Sequence, residues 1–126
     1  ALTEVTEPGN AHAIAALCAR LGDADQVVRC TAVRALAQVA EKGDQSIIAA
    51  VSKLLRDQFE TVRLKALEAL ARLAERGDEA AIAAALRRLE DSGETVRRAA
   101  PEALASLMPH RGDEQVIAKV NTLLEH

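Results

Sequence analysis

A 34-residue repeat constrains the fold of this chain more than any other feature of its sequence. The dipeptide Val-Arg occurs at Val28, Val62 and Val96, and each copy follows the previous one by 34 residues. A second marker, Gly followed by Asp or Asn, begins at Gly9, Gly43, Gly77 and Gly112. A fixed period of this length is typical of repeat proteins, in which each unit buries its apolar face against the next.

The apolar residues within a repeat have the spacing of α-helices. Ile48, Val51 and Leu55 lie three and four residues apart, as on one face of a short helix. A longer helical series follows at Val62, Ala66, Ala69, Leu70 and Leu73. Each repeat is therefore interpreted as a shorter helix A, a turn and a longer helix B. Aligning the repeats predicts a shared core of Ile14, Ile48, Ile82 and Ile117; Leu21, Leu55, Leu89 and Leu124; Ala32, Ala66 and Ala100; Leu36, Leu70 and Leu104; and Val39, Leu73 and Leu107.

Glycine and capping residues predict where the helices begin and end. Gly can adopt the left-handed conformation after helix B, and the Asp or Asn that follows can cap the next helix A. Thr61 and Thr95 are the predicted caps of helix B. Pro101 lies within the third helix B, where proline removes a backbone hydrogen bond and disfavours the helix by ~3 kcal/mol. We expect a kink or a late helix start there, and we expect Pro109 to help end the same helix.

The composition favours helices over sheets. Ala and Leu dominate the apolar residues, Phe59 is the single aromatic residue, and Trp and Tyr are absent. Ala allows helices to approach closely and both Ala and Leu favour the helix, whereas sheets prefer β-branched and aromatic residues. We therefore predict an all-α fold.

The segments that begin at Val28, Val62 and Val96 resemble the second helix of HEAT repeats, and most closely the HEAT-like subgroup found in phycobilisome lyases. Tetratricopeptide repeats have the same length, but their pattern calls for aromatic residues that this chain lacks. The resemblance implies a right-handed α-solenoid of helical hairpins with about three and a half HEAT-like repeats.

We assign residues 1–124 to a single repeat array. Residues 9–42, 43–76 and 77–111 are full repeats, residues 1–8 are the end of a helix B, and residues 112–124 are a final helix A. Because a solenoid needs polar end repeats to cover its core, we interpret the chain as a fragment of a longer array. Glu125 and His126 resemble the start of a histidine tag.

The resemblance also implies a structural role for three Asp and three Arg residues. In HEAT families, an Asp and an Arg so placed form a ladder of ion pairs between neighbouring repeats. Here the Asp precedes the Arg by six residues in each repeat: Asp23 and Arg29, Asp57 and Arg63, and Asp91 and Arg97. A guanidinium group can pair with a carboxylate through two hydrogen bonds, which fixes the geometry. A row of arginines that binds anions is the alternative.

Few residues could support catalysis or metal binding. His12, His110 and His126 do not share a helical face at a spacing of four residues, so we expect no zinc site. Cys18 is expected to be half-buried and Cys30 to be exposed, and the sequence offers neither a neighbouring base. We therefore expect no catalytic residues, no cofactor and no enzymatic activity.

The tripeptide Arg-Gly-Asp, an adhesion motif in some proteins, begins at Arg76 and at Arg111. Its Gly-Asp part is also the marker of the repeat, and a turn and a helix cap explain both residues. We therefore predict a structural role for it.

The charge of the chain argues against a general nucleic-acid binder. Its formal net charge is −3, with 28% charged residues, whereas such binders are basic. No apolar run approaches the ~18 residues of a membrane span, and no signal peptide is visible. We expect a soluble protein of cytoplasmic type, and the sequence does not indicate its oligomeric state.

The predicted binding surface is the side of helix B that faces away from the core. Its residues are Cys30, Arg34, Gln38, Leu64, Glu68, Arg72, Arg98, Glu102 and Ser106. They differ between repeats while the core positions recur, and their three positive and two negative charges nearly cancel. Such a mixed surface suits a protein partner better than a phosphate backbone. An ordinary solvated face, with an ion pair between Glu68 and Arg72, is the alternative.

We therefore predict a non-catalytic scaffold that binds a macromolecule, with a protein as the favoured partner. A bilin lyase-like or other chromophore-handling enzyme subunit is an alternative that rests on the resemblance alone, and fold does not determine function. Nucleic-acid binding is a third hypothesis, which the acidic charge of the chain disfavours.

Overall fold

The computed structural model describes residues 11–109, and within that range the chain is an α-solenoid of three helical hairpins. Its helices, numbered α1 to α6, are Ala11–Arg20, Gln26–Val39, Gln45–Lys53, Glu60–Leu73, Glu79–Arg87 and Glu94–Leu107. Helices α1, α3 and α5 are the shorter A helices, and α2, α4 and α6 are B helices of 14 residues each. Short 3-10 segments, Leu54–Arg56 and Arg88–Glu90, extend α3 and α5. The predicted all-α fold of helical hairpins is confirmed.

Several predicted features lie outside the described residues. These are the helix end at residues 1–8, the final helix at residues 112–124, and the residues Gly9, Asn10, His110, Arg111, Gly112, Ile117, Leu124, Glu125 and His126.

The Gly-Asp pairs end one hairpin and begin the next, as predicted. Gly43 and Gly77 have φ angles of 89° and 86°, in the left-handed region that favours glycine. The Asp44 carboxylate accepts hydrogen bonds from the backbone N–H groups two and three residues later, and the Asp78 carboxylate accepts one from the N–H three residues later. These bonds satisfy N–H groups that have no partner within the helix.

Thr61 and Thr95 do not cap helix B, so that prediction is wrong. Each lies within the first turn of its helix, one residue after the helix begins. Instead, Asp57 and Asp91 each accept a hydrogen bond from the backbone N–H two residues later, at 2.9 and 2.7 Å. This turn holds the chain at the entrance to helix B, so an aspartate upstream of the helix orders its start.

The hydrophobic core lies between the A and B helices and is most complete in the central hairpin. Val62, Ala66, Leu67 and Leu70 on α4 have no exposed surface, because hairpins lie on both sides of this helix. Most of the predicted core positions are buried in the same way. The partly buried ones are Ile14, Val39 and Leu104.

Leu89 is not buried, in contrast to the prediction. It is 38% exposed, whereas the matching residues Leu21 and Leu55 are 7% and 4% exposed. The next hairpin approaches Leu55, whose backbone carbonyl accepts a hydrogen bond from Arg88 at 2.7 Å. Among residues 11–109 no further hairpin follows Leu89. Burial at this position therefore depends on the neighbouring repeat and not only on the helix that carries the residue.

Helix α6 runs through Pro101 without interruption. It begins at Glu94, which matches Glu60 at the start of α4, and it has the same length. The predicted late start is therefore wrong, whereas the kink stays a prediction. Pro101 is exposed, and its missing N–H leaves the carbonyl of Arg97 without its usual helical partner. Helix α6 ends at Leu107, two residues before Pro109.

The two layers of helices are not equivalent. Each B helix packs directly against the B helices of the neighbouring hairpins, and these are the most extensive helix contacts in the described range. The A helices of neighbouring hairpins contact each other far less. Grooves lie on both sides of the array. Two are between B helices on one side, and one is between A helices on the other.

Candidate functional site

An ion pair joins each described hairpin to the one that follows it. Arg29 on α2 donates from Nε to Asp57 Oδ2 at 2.8 Å and from Nη2 to Oδ1 at 3.1 Å. Arg63 on α4 makes the same two-pronged contact with Asp91, at distances of 3.1 to 3.2 Å. Two hydrogen bonds to one carboxylate fix both the distance and the angle between partners. The pairs therefore set the register of one hairpin against the next.

Within a single repeat, the same arginines bind a backbone carbonyl and not the carboxylate six residues earlier. The Nη1 groups of Arg29, Arg63 and Arg97 donate to the carbonyl oxygens of Asp23, Asp57 and Asp91 at 2.6, 2.7 and 2.7 Å. The carboxylates of Asp57 and Asp91 instead pair with an arginine of the preceding repeat and accept a backbone hydrogen bond at the start of their own helix B. For Arg97 no residue in the range 11–109 supplies a carboxylate in this way.

Asp91 is the most highly coordinated carboxylate in the described part of the chain. Arg88 also donates to it, at 3.0 Å, and its side chain is only 2% exposed. Burial by itself would raise the pKa of Asp91, but the hydrogen bonds from Gly93 and Arg63 and the charges of Arg63 and Arg88 outweigh it. The pKa of Asp91 therefore lies below its usual value, and the group is ionised at neutral pH.

The ion pairs of Arg29 and Arg63 argue against the alternative in which these arginines form a row that binds anions. Arg29 and Arg63 are only 8% and 9% exposed, and an aspartate already occupies each guanidinium group. A buried and paired guanidinium group has little capacity left for an external anion. The geometry thus favours a structural role for this pair of arginines.

The predicted binding surface lies along the three B helices, and most of it faces solvent. Its exposed residues are Arg34, Gln38, Glu68, Arg72, Arg98, Glu102 and Ser106. Cys30 and Leu64 are half-buried, and Leu64 packs against the hydrophobic core. The expectation that Cys30 is exposed is therefore wrong.

Two grooves run between the B helices, and six of the nine predicted residues line them. The groove between α2 and α4 has a volume of about 250 Å³ and is lined by Arg34, Gln38, Lys65, Glu68 and Arg72, with Ala37 and Ala69. The groove between α4 and α6 has a volume of about 410 Å³ and is lined by Glu68, Arg72, Glu102 and Ser106, with Leu67, Ala71, Ala99 and Ala103. Glu68 and Arg72 belong to both grooves, so the two grooves meet along α4.

Lys65 and the alanines of the grooves were missed from the sequence. The predicted stripe follows steps of four residues along the outer side of each helix, whereas a groove is lined by residues that point sideways toward the next helix. Lys65 lies 3.6 Å from Glu68 in an exposed ion pair, and Glu68 does not pair with Arg72. Its spacing of three residues from Glu68 is the signal that could have placed it beside the stripe.

Both cysteines have the properties of packed thiols. Burial, with a smaller contribution from Asp44, raises the pKa of Cys18. Burial also raises the pKa of Cys30, although Lys65 and two arginines act in the opposite direction. A thiol with a raised pKa is protonated at neutral pH and is a weak nucleophile. The expected half-burial of Cys18 is confirmed.

The described Arg-Gly-Asp tripeptide is occupied by contacts between repeats. Arg76 donates to the carbonyl of Met108 at 2.8 Å, and the N–H of Gly77 donates to that of Leu107 at 2.8 Å. Asp78 caps α5. Each of the three residues of this tripeptide therefore has a structural role, either in a contact between repeats or in capping a helix.

Two kinds of site are absent from residues 11–109. No three His, Cys, Asp or Glu side chains in this range lie close enough together to hold a metal ion. None of the helices in this range is both long and apolar enough to cross a membrane.

Comparison with known proteins identifies the repeat. A family model described as HEAT repeats matches the chain twice, over residues 14–105 and over residues 49–126. Together the two matches span all three described hairpins. No curated protein matches the chain.

Proposed function

Because this chain belongs to the HEAT repeat family, whose members are generally protein-interaction scaffolds, we propose that it is a non-catalytic scaffold that binds a protein partner along its B helices. The observation that carries the proposal is the pair of adjoining grooves, which meet at Glu68 and Arg72. Two adjoining grooves across three helices provide an extended contact area, as solenoid proteins use for binding.

The chemistry of the grooves favours a protein as the partner. Their lining carries both charge signs: Arg34, Lys65 and Arg72 are cationic, and Glu68 and Glu102 are anionic. Alanine side chains between the charged residues leave shallow apolar depressions into which side chains of a partner could fit. Mixed polar rims around an apolar centre are typical of protein interfaces, whereas a polyanion would require an excess of cations.

Two alternatives have less support. A role in handling bilins would rest on the likeness of helix B to repeats of phycobilisome lyases, and the raised pKa values of Cys18 and Cys30 disfavour attachment of a chromophore through either thiol. Binding of nucleic acid is disfavoured by the net charge of −3. Mixing the chain with a bilin, or with an oligonucleotide at low salt, tests each of them.

Filling the grooves tests the proposal. Ala71 and Ala99 are half-buried floor residues of the larger groove, and substitution by Gln in both would fill it while keeping good helix formers in place. We expect this double variant to recover less of any partner protein in a pull-down. Ala80→Gln, on the exposed side of α5, is the control and should recover as much as the unchanged chain. Equal recovery by all three chains would contradict the proposal.

A further inference from the structure

The opposite side of the array carries another groove, between the A helices α3 and α5, with a volume of about 330 Å³. We propose that this groove binds an acidic peptide segment that also carries an apolar side chain. Four cationic side chains line the groove and no carboxylate does: Lys53, Arg56, Arg87 and Arg88. On a chain whose net charge is −3, this is a local reversal of sign. The proposal concerns a different surface from the B-helix grooves and does not depend on them.

Three of the four cations of this groove lack a carboxylate partner within residues 11–109, and the aspartates that follow Arg56 and Arg88 in sequence are engaged in the ion pairs between hairpins. Asp57 follows Arg56 in sequence, but its carboxylate pairs with Arg29 on the B-helix side. Asp91 follows Arg88 and pairs with Arg63 as well as with Arg88. Asp57 therefore pairs with no cation of this groove, and Asp91 pairs with only one of them, Arg88.

Three of the four cations are free for an external anion. Lys53, Arg56 and Arg87 are exposed, and none of them forms an ion pair with any residue between 11 and 109. Arg88 is held at the edge of the groove by its hydrogen bonds to Leu55 and Asp91. The groove thus combines one guanidinium group held by hydrogen bonds with three exposed cationic side chains that form no ion pair within residues 11–109.

A helix dipole does not account for this arrangement. Lys53 and Arg87 lie in the last turns of α3 and α5, where a cation stabilises the helix. That effect explains one cation at each helix end. It does not explain why cations from two successive repeats converge on one groove that no carboxylate lines.

The floor of the groove specifies a peptide and not a nucleic acid. Ala49, Ser52, Leu55 and Ala84 form a surface of small and apolar groups, which suits an aliphatic side chain. Single-stranded nucleic acid is usually held by aromatic side chains that stack on its bases, and no aromatic residue lines this groove. Exposed cations around an apolar floor complement a segment in which carboxylates flank an aliphatic residue.

The test uses a fluorescein-labelled peptide of alternating Glu and Leu residues and measures its binding by fluorescence anisotropy. Replacing Lys53, Arg56 and Arg87 with Gln together should weaken binding at least about tenfold, because exposed ion pairs contribute modestly but add up. The matched control replaces Arg20, Lys42 and Arg76 with Gln, three exposed residues that line none of the three grooves, so it changes the net charge equally. This control should bind within about twofold of the unchanged chain.

A second variant tests the floor without removing a charge. Ala84→Arg fills the groove from its half-buried floor and adds a cation, so it should abolish binding although the positive charge increases. Circular dichroism checks that each variant keeps its helix content. The proposal is overturned by equal loss in the two triple variants, by unchanged binding of a peptide with Ser in place of Leu, or by tighter binding of a single-stranded oligonucleotide than of the peptide.

Discussion

Arg63 on helix α4 and Asp91 ahead of helix α6 form a buried ion pair across the boundary between two repeats, with Nη2 and Oδ1 3.1 Å apart. The same aspartate accepts hydrogen bonds from the N–H of Gly93 and from Arg88. One carboxylate therefore joins the first turn of the B helix of one hairpin, the 3-10 segment that extends the A helix of the next, and the start of that hairpin's B helix. The repeats are held in register by this contact as well as by their apolar core.

Replacing Asp91 should destabilise the array strongly. The Asp91→Ala variant removes the carboxylate that pairs with both Arg63 and Arg88, so Arg63 is left buried without a partner. Breaking a buried pair in this way costs about 3–5 kcal/mol. Urea unfolding followed by circular dichroism measures the loss. The control is Glu94→Gln, which removes an exposed pair with Arg98 and should cost no more than about 0.5 kcal/mol. Similar losses in the two variants would show that the buried pair does not stabilise the fold.

Stability should fall in acid, partly through Asp91. Because the pKa of Asp91 is lower in the folded chain than its usual value, protonation favours the unfolded chain. Its contribution is fully present above the unfolded value of ~3.9 and is lost as the pH falls through the folded value. The free energy of unfolding, measured by urea titration at pH values from neutral downward, should decrease below about pH 4. The difference between the unchanged chain and Asp91→Asn should shrink over the same range, and a constant difference would contradict this assignment.

The turn glycines should not tolerate a side chain. Gly43 has a φ of 89°, and an added Cβ would also press on the carboxylate of Glu75. Gly43→Ala should therefore lower the free energy of unfolding by about 1–2 kcal/mol. Gly22→Ala is the matched control, since its φ is not positive and its Cβ would meet only a carbonyl oxygen at 3.9 Å. That variant should be neutral or slightly more stable, and equal effects at the two glycines would contradict the conformational argument.

Gly93 and Glu60 should be energetically coupled. The Glu60 carboxylate accepts hydrogen bonds from the N–H and hydroxyl of Thr95, at 2.9 and 2.6 Å, so a residue of one repeat caps helix B of the next. A Cβ on Gly93 would collide with this carboxylate, which would have to move away. Gly93→Ala should therefore destabilise the unchanged chain but have a smaller effect in a Glu60→Ala background. A double-mutant cycle from thermal unfolding measures the coupling, and additive effects would exclude it.

The features predicted correctly from the sequence are those that a single repeat determines. The hairpin architecture follows from helical spacing of apolar residues, and the turns follow from the conformational freedom of Gly43 and the capping ability of Asp44. These properties belong to the residues themselves and recur at each repeat, so the period makes them visible.

Two of the features missed from the sequence, the exposure of Leu89 and the grooves, depend on contacts between repeats, whereas the turn at Asp57 is local. Thr61 was predicted to cap its helix, but Asp57 orders that start while it also pairs with Arg29. Leu89 was predicted to be buried, but its burial requires a neighbouring hairpin. For the same reason, Lys65 was not predicted as part of the candidate site, because grooves form only where two B helices approach each other.

The most direct test of the proposed scaffold function is site-specific photo-crosslinking. A benzophenone amino acid placed at Arg72, which both B-helix grooves share, is compared with the same group placed at Ala80 on an A helix. The account predicts that position 72 cross-links to a partner protein and that position 80 does not. Cross-links of equal yield from the two positions, or from position 80 alone, would contradict it.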